Sequence, residues 1–175
     1  MSKFSLSAFV IALSCLQGCS TLHTTAKTTP LDKNAQWVLL PSINNTETPQ
    51  AGARLDNITA SLLRVNGVSQ VDVYSTNTTN DSLFDVADRR NQEQALNAVK
   101  SSGAKYAVAA SVDEWRYKVG LDGEPAAGVT VNIIDLSTGQ VVWSGTAAKT
   151  GWSREAVSAI AQKTVDELLK NALSR

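Results

Sequence analysis

The feature that most restricts what this chain can fold into is the short apolar run ending at Leu16-Gln17-Gly18-Cys19. Phe4 to Leu16 is a stretch of 13 residues broken only by serines and Cys15, with Lys3 as its basic flank. A transmembrane helix needs roughly 20 apolar residues, so the run has the length of a signal segment instead. Leu16 and Gly18 stand at −3 and −1 before Cys19, as in a lipoprotein processing box; Gln17 is less typical at −2. Processing there removes residues 1–18 and acylates Cys19. The alternative is an ordinary signal peptide cut nearby, with Cys19 left as a thiol. Both cysteines of the chain lie in this region. Under the first reading, what remains has no thiol and no disulfide, and must be held together by its core alone.

A chain of 175 residues is long enough for one domain with a proper core. Lys3 is the only charge before Cys19, so 15 of the 16 basic residues remain against 16 acidic ones, a net charge of −1. Nucleic-acid binders are usually strongly basic, so that class is not indicated. Any electrostatic function has to come from local patches. Ser20 follows the cysteine, where an Asp would favour retention at the inner membrane, so the outer membrane is the expected address. Each buried methylene contributes about 0.8 kcal/mol, and the three chains of a bacterial lipoprotein cysteine make detachment negligible. Residues 19–35 are polar and Thr-rich and read as a lipidated flexible tether. The sole histidine, His23, falls in this tether and reads as solvated.

Residues 36–175 read as one α/β domain. Gln36–Pro41 is an apolar run ended by Pro, a buried first strand. Thr48 and Pro49 predict a helix start, and Leu55, Ile58, Leu62 and Val65 predict one apolar stripe ending near Asn66-Gly67. Val68–Tyr74 alternates as a strand, and Ser75–Ser82 is a polar loop. Asp88–Ser102 is a second helix with Ala95, Leu96 and Val99 inward and Gly103 as its stop. Ala104–Val119 is a long strand, apolar and central in its first half. Its second half places Glu114, Arg116 and Lys118 on one face and Asp113, Trp115, Tyr117 and Val119 on the other, as an exposed edge or ribbon. Residues 120–125 turn, Ala126–Leu136 and Val141–Lys149 are strands, and Ser153 caps a last helix with Val157, Ile160, Thr164 and Leu168 inward. The order β-α-β-α-β-β-β-α predicts a mixed sheet with helices packed on it.

Catalytic patterns are missing. No Gly-rich phosphate loop follows a strand, and a lone His supplies neither a metal cluster nor a Ser–His pair. The acidic pairs Asp113/Glu114 and Asp122/Glu124 do not face each other across a cleft as glycosidase carboxylates do. Asp113 and Glu114 are sequential on a strand and are expected on opposite faces. An enzyme is not expected, and no cofactor or metal is implied. Two features read as binding. One is the acidic content of Asp113, Glu114, Asp122 and Glu124, which also fits a solvated edge neutralised by Arg116 and Lys118. The other is Trp152, either a staple over Val157 or an exposed indole at a membrane or subunit interface.

The run Val112–Gly128 (VDEWRYKVGLDGEPAAG), with Asp135–Gly139, Val142-Trp143-Ser144-Gly145 and Gly151–Glu155, resembles the PelC family, small outer-membrane lipoproteins of the Pel exopolysaccharide export machinery. The Trp37 strand and Asn45–Pro49 also fit, so the likeness covers about residues 36–170. The Asp-x-x-Thr-Gly turn is shared with other periplasmic lipoprotein domains and carries the fold more than the function. The resemblance implies a homo-oligomeric ring on the inner leaflet of the outer membrane, beneath a β-barrel porin, with an acidic funnel guiding a cationic polysaccharide. It makes Asp122 and Glu124 candidates for the funnel lining, with Asp113 and Glu114 behind them, and Trp152 the candidate membrane-facing residue. The competing reading is a lipoprotein activator of a cell-wall synthase. About 16 tether residues span roughly 50 Å at full extension, too little to reach across the periplasm, so the chain favours the first.

Overall fold

The computed structural model describes residues 20–25, 30–74, 85–119, 123–152 and 154–174. The leader, Cys19, the Ser75–Ser82 loop, Asp122 and Ser153 lie outside them. In chain order the elements are β1 (Ser20–Thr24), β2 (Gln36–Leu39), β3 (Ile43–Asn44), α1 (Ala51–Val65), β4 (Gln70–Val73), α2 (Asp85–Val99), β5 (Tyr106–Tyr117), β6 (Pro125–Asp135), β7 (Gln140–Thr150) and α3 (Val157–Leu173). The seven strands form one mixed sheet in the order β1-β7-β6-β5-β2-β4, with β3 also on β5. The β5–β6–β7–β1 half is antiparallel; β2, β3 and β4 join in parallel.

The expected α/β class and element order hold, with β1 and the short β3 added. Burial explains the layering. Val108, Ala110 and Val112 of β5 face one way, into a core with Trp37, Leu39, Trp143 and the inner stripes of α1 and α3. Ala107 and Ala109 face the other way, onto Ala95 and Val99 of α2. A strand covered on both faces must be apolar at successive positions, and the first half of β5 is. α2 packs against β3 and β5. Ser111, Thr130 and Thr146, on the same side of the sheet farther along, are partly or fully exposed.

Four expectations are corrected. First, residues 20–24 are not free tether. They form β1 on the edge of β7, with Leu22 opposite Ala147 and half-buried against the core. Leu22 is the one apolar residue in a Thr-rich segment, and threonine suits a half-buried edge strand. Second, the buried face of α1 is Leu55, Thr59, Ala60 and Leu63, while Val65 is 74% exposed. The small residues Ala51 and Gly52 sit on that face, where Gly52 lets the helix approach the Ser42 carbonyl; an added Cβ would lie 2.7 Å from that oxygen. A stripe drawn through large aliphatics alone is therefore rotated. Third, Thr48 does not cap α1, and the other predicted cap, Ser153, lies outside the described residues. The α1 N-cap is Gln50, in the left-handed region at φ 59°, and Thr48 instead donates its hydroxyl to the Trp115 carbonyl at 2.6 Å. The α3 N-cap is Ala156, with no side-chain cap.

Fourth, the register of β5 against β6 shifts between Val112 and Glu114, with Asp113 the extra residue. A bulge reverses the alternation that follows it. Trp115 thereby lands on the Val112 side, 4% exposed within the core, rather than on an outward ribbon.

Candidate functional site

The β1–β7 ladder fixes one end of the molecule. Ser20, one residue after Cys19, pairs with Lys149. The end of β7 is tied to the start of β6, the Gly151 amide donating to the Pro125 carbonyl at 2.8 Å. Trp152 follows, with its side chain turned outward: it is 57% exposed, whereas Trp37, Trp115 and Trp143 are buried. An indole stapled over Val157 would be covered, so the exposed reading fits the geometry. The Trp152 amide donates to Glu155 Oε2 at 2.9 Å, and Lys163 Nζ donates to Glu155 Oε1 at 2.6 Å. Those two hydrogen bonds, the Lys163 one foremost, hold the Glu155 carboxyl below its usual pKa. Together Ser20, Lys149, Trp152, Glu155, Ile160 and Lys163 border a cleft of about 200 Å³. Gly151 floors it; a Cβ there would collide with the Ile160 and Glu155 side chains.

The β5–β6 hairpin ends beside this cleft. The Lys118 amide donates to the Glu124 carbonyl at 2.7 Å, and the Tyr117 hydroxyl reaches the Glu155 carbonyl at 3.3 Å. Glu124 is exposed, as are Lys118 and Val119; Asp122 is outside the described residues. Glu124 and Trp152 thus share one end of the sheet, a neighbourhood the sequence did not predict.

Asp113 and Glu114 lie elsewhere. Because of the bulge both carboxylates are on the sheet face opposite α1 and α3, correcting the expectation of opposite faces. Asp113 Oδ2 accepts from the Thr130 hydroxyl at 2.7 Å, and its Oδ1 accepts from Ser111 at 2.9 Å and Asn45 at 3.0 Å. Glu114 sits opposite Gly128 and takes a 2.9 Å hydrogen bond from Arg116 Nε. Gly128 lies four residues on from Glu124, roughly 13 Å at 3.3 Å per residue, so Glu114 and Glu124 are not one cluster.

Sequence reasoning missed Asp56. Its Oδ1 accepts the Ser42 amide at 3.0 Å. Burial pushes its carboxyl up to about 6, against the pull of the Ser42 amide, and the Asp88 charge adds to the rise. Its only signal was a carboxylate directly after the core residue Leu55. Glu155 and Lys163 were missed as well, although Glu155 stands three residues after the exposed tryptophan. Among the described residues no group of three or more His, Cys, Asp or Glu could hold a metal ion.

No family model matches the chain, and no curated protein matches it. Solved structures do. A PelC dodecamer from Paraburkholderia phytofirmans is 34% identical, with a TM-score of 0.75, covering 90% of this chain and 99% of that one. A point variant of that dodecamer is 33% identical, with a TM-score of 0.75, covering 90% and 100%. A lipoprotein from Neisseria meningitidis has the same fold at 15% identity and a TM-score of 0.52, covering 81% and 99%. At 34% identity over essentially the whole of its Paraburkholderia relative, this chain belongs to the PelC family.

Proposed function

We propose that this chain is a lipid-anchored, ring-forming subunit of an exopolysaccharide export complex in the outer membrane. Acylated at Cys19, it faces the periplasm and guides a cationic polysaccharide toward a β-barrel porin. The observation that carries the reading is the full-length similarity to a PelC protein that is itself a dodecamer. The position of Ser20 supports it: the residue after the acylated cysteine is already in the sheet, beside an exposed tryptophan. Tryptophan favours the interfacial zone of a bilayer.

The carboxylates fall into two ranks. Glu124, which is exposed, and Asp122, which lies outside the described residues, are the funnel candidates. Asp113 and Glu114 are held by local partners, Glu114 by Arg116, and are the weaker pair. A lumen lined by one sign of charge concentrates a polymer of the other sign by about tenfold or more. Asp122→Lys with Glu124→Lys is therefore expected to cut polymer secretion by about tenfold while circular dichroism stays unchanged. Normal secretion with those charges reversed removes the hairpin from the funnel. Sedimentation of the purified mature protein tests the ring: a closed oligomer of many subunits is expected, and monomer alone at milligram concentrations counts against it.

A further inference from the structure

We propose that the cleft between the end of β7 and the first turns of α3 binds the headgroup of a zwitterionic phospholipid, one with a phosphate diester and a primary ammonium. This rests on the membrane-anchored reading above and extends it from adhesion to lipid selection. The cleft has both charges within about 200 Å³: Lys149 and Lys163 as cations, Glu155 as anion, and the exposed face of Trp152 beside them. Each ammonium has three protons. Lys163 sets one on Glu155 at 2.6 Å, and Lys149 lies 2.6 Å from Glu167. Each keeps protons beyond its ion pair that a phosphate in the cleft could take.

Glu155 accepts two hydrogen bonds in the structure, and a carboxylate has about four acceptor positions. A primary ammonium can therefore donate to it while lying against the indole, where cations are attracted. A quaternary ammonium could use the indole but has no proton for Glu155. A purely anionic headgroup would leave Glu155 facing a negative charge. Ser20 borders the same cleft, so the acyl chains on Cys19 and those of the bound lipid would enter one leaflet side by side.

Trp152 is the reporter, because the other three tryptophans are buried. The acylated full protein is placed in phosphatidylcholine vesicles. Equal small fractions of lipid with brominated chains are added as phosphatidylethanolamine, phosphatidylcholine or phosphatidylglycerol. Brominated phosphatidylethanolamine is expected to quench Trp152 about threefold more than its mole fraction predicts, the scale of one exposed ion pair. Lys149→Gln with Lys163→Gln is expected to remove that preference while total quenching remains. Equal quenching by all three lipids overturns the headgroup site and leaves the anchored reading standing. Stronger quenching by phosphatidylglycerol overturns it in favour of plain cationic attraction. No quenching by any lipid overturns both readings. Soluble glycerophosphoethanolamine is expected to leave the preference intact at the same concentration; if it abolishes it, the ligand is a solute and not a lipid.

Discussion

At Asp113 the backbone of β5 takes one residue more than β6 can match, and two consequences follow within three positions. Trp115 turns into the core, where its carbonyl accepts the Thr48 hydroxyl, and Glu114 joins Asp113 on the open face. Strict alternation could not give this; the mark of the bulge in the sequence is the adjacent polar pair Asp113-Glu114 between Val112 and Trp115. A second residue-scale effect is legible only in three dimensions. Asp56 has a folded pKa of about 6 against 3.8 for the free side chain. The folded state therefore binds this proton more tightly, and the contribution of Asp56 to stability is fully present below pH 3.8 and lost as pH rises through 6. The linked change is at most about 3 kcal/mol. Asp56→Asn keeps an acceptor for the Ser42 amide. It is expected to stabilise the domain by about 1–3 kcal/mol at pH 8 and to flatten the pH profile between 4 and 6, as measured by urea unfolding. An unchanged profile would show that Asp56 does not titrate in that range.

Among elements, β1 departs most from expectation. Its composition reads as linker, yet Leu22 at the centre of five residues meets the core while its neighbours face solvent. Leu22→Asp is expected to release β1 at a cost of about 1 kcal/mol, roughly half a fully buried leucine. Hydrogen exchange checks it: the alternate amides of β1 that donate to β7 should be protected in the parent and exchange freely in the variant, with β5 and β6 unaffected. Free exchange in the parent would restore the tether. The regular elements were legible because their periodicity is strong. β5, β6 and β7 carry apolar runs at their expected places, and the inward face of α3 is the one its 3.6-residue spacing predicts. The helix starts were not legible. Gln50 and Ala156 are poor caps by type, and the chain geometry around Thr48 and Glu155 decides where α1 and α3 begin. At the candidate site, Trp152 and Glu124 were legible as residue types. Their closeness was not, because it depends on the Gly151–Pro125 hydrogen bond across two strands.

At the scale of the whole molecule, polar and aromatic groups are unevenly spread. Trp152, Tyr117 and Val119 are exposed toward the end that bears Ser20, and with the indole out of the core this end differs optically from the rest. Acrylamide is expected to quench about a quarter of the tryptophan emission of the lipid-free domain, the share of the single indole outside the core. Trp152→Phe should abolish that component, and quenching that persists would mean a buried indole opens to solvent. Closing the β7 edge with the chain's own first strand also has a mechanical consequence. A tension applied at Ser20 and directed along β1 loads a ladder of five residue pairs in shear, so that their hydrogen bonds must yield together. A pull on the chain at Ser20 is therefore passed directly to the central sheet.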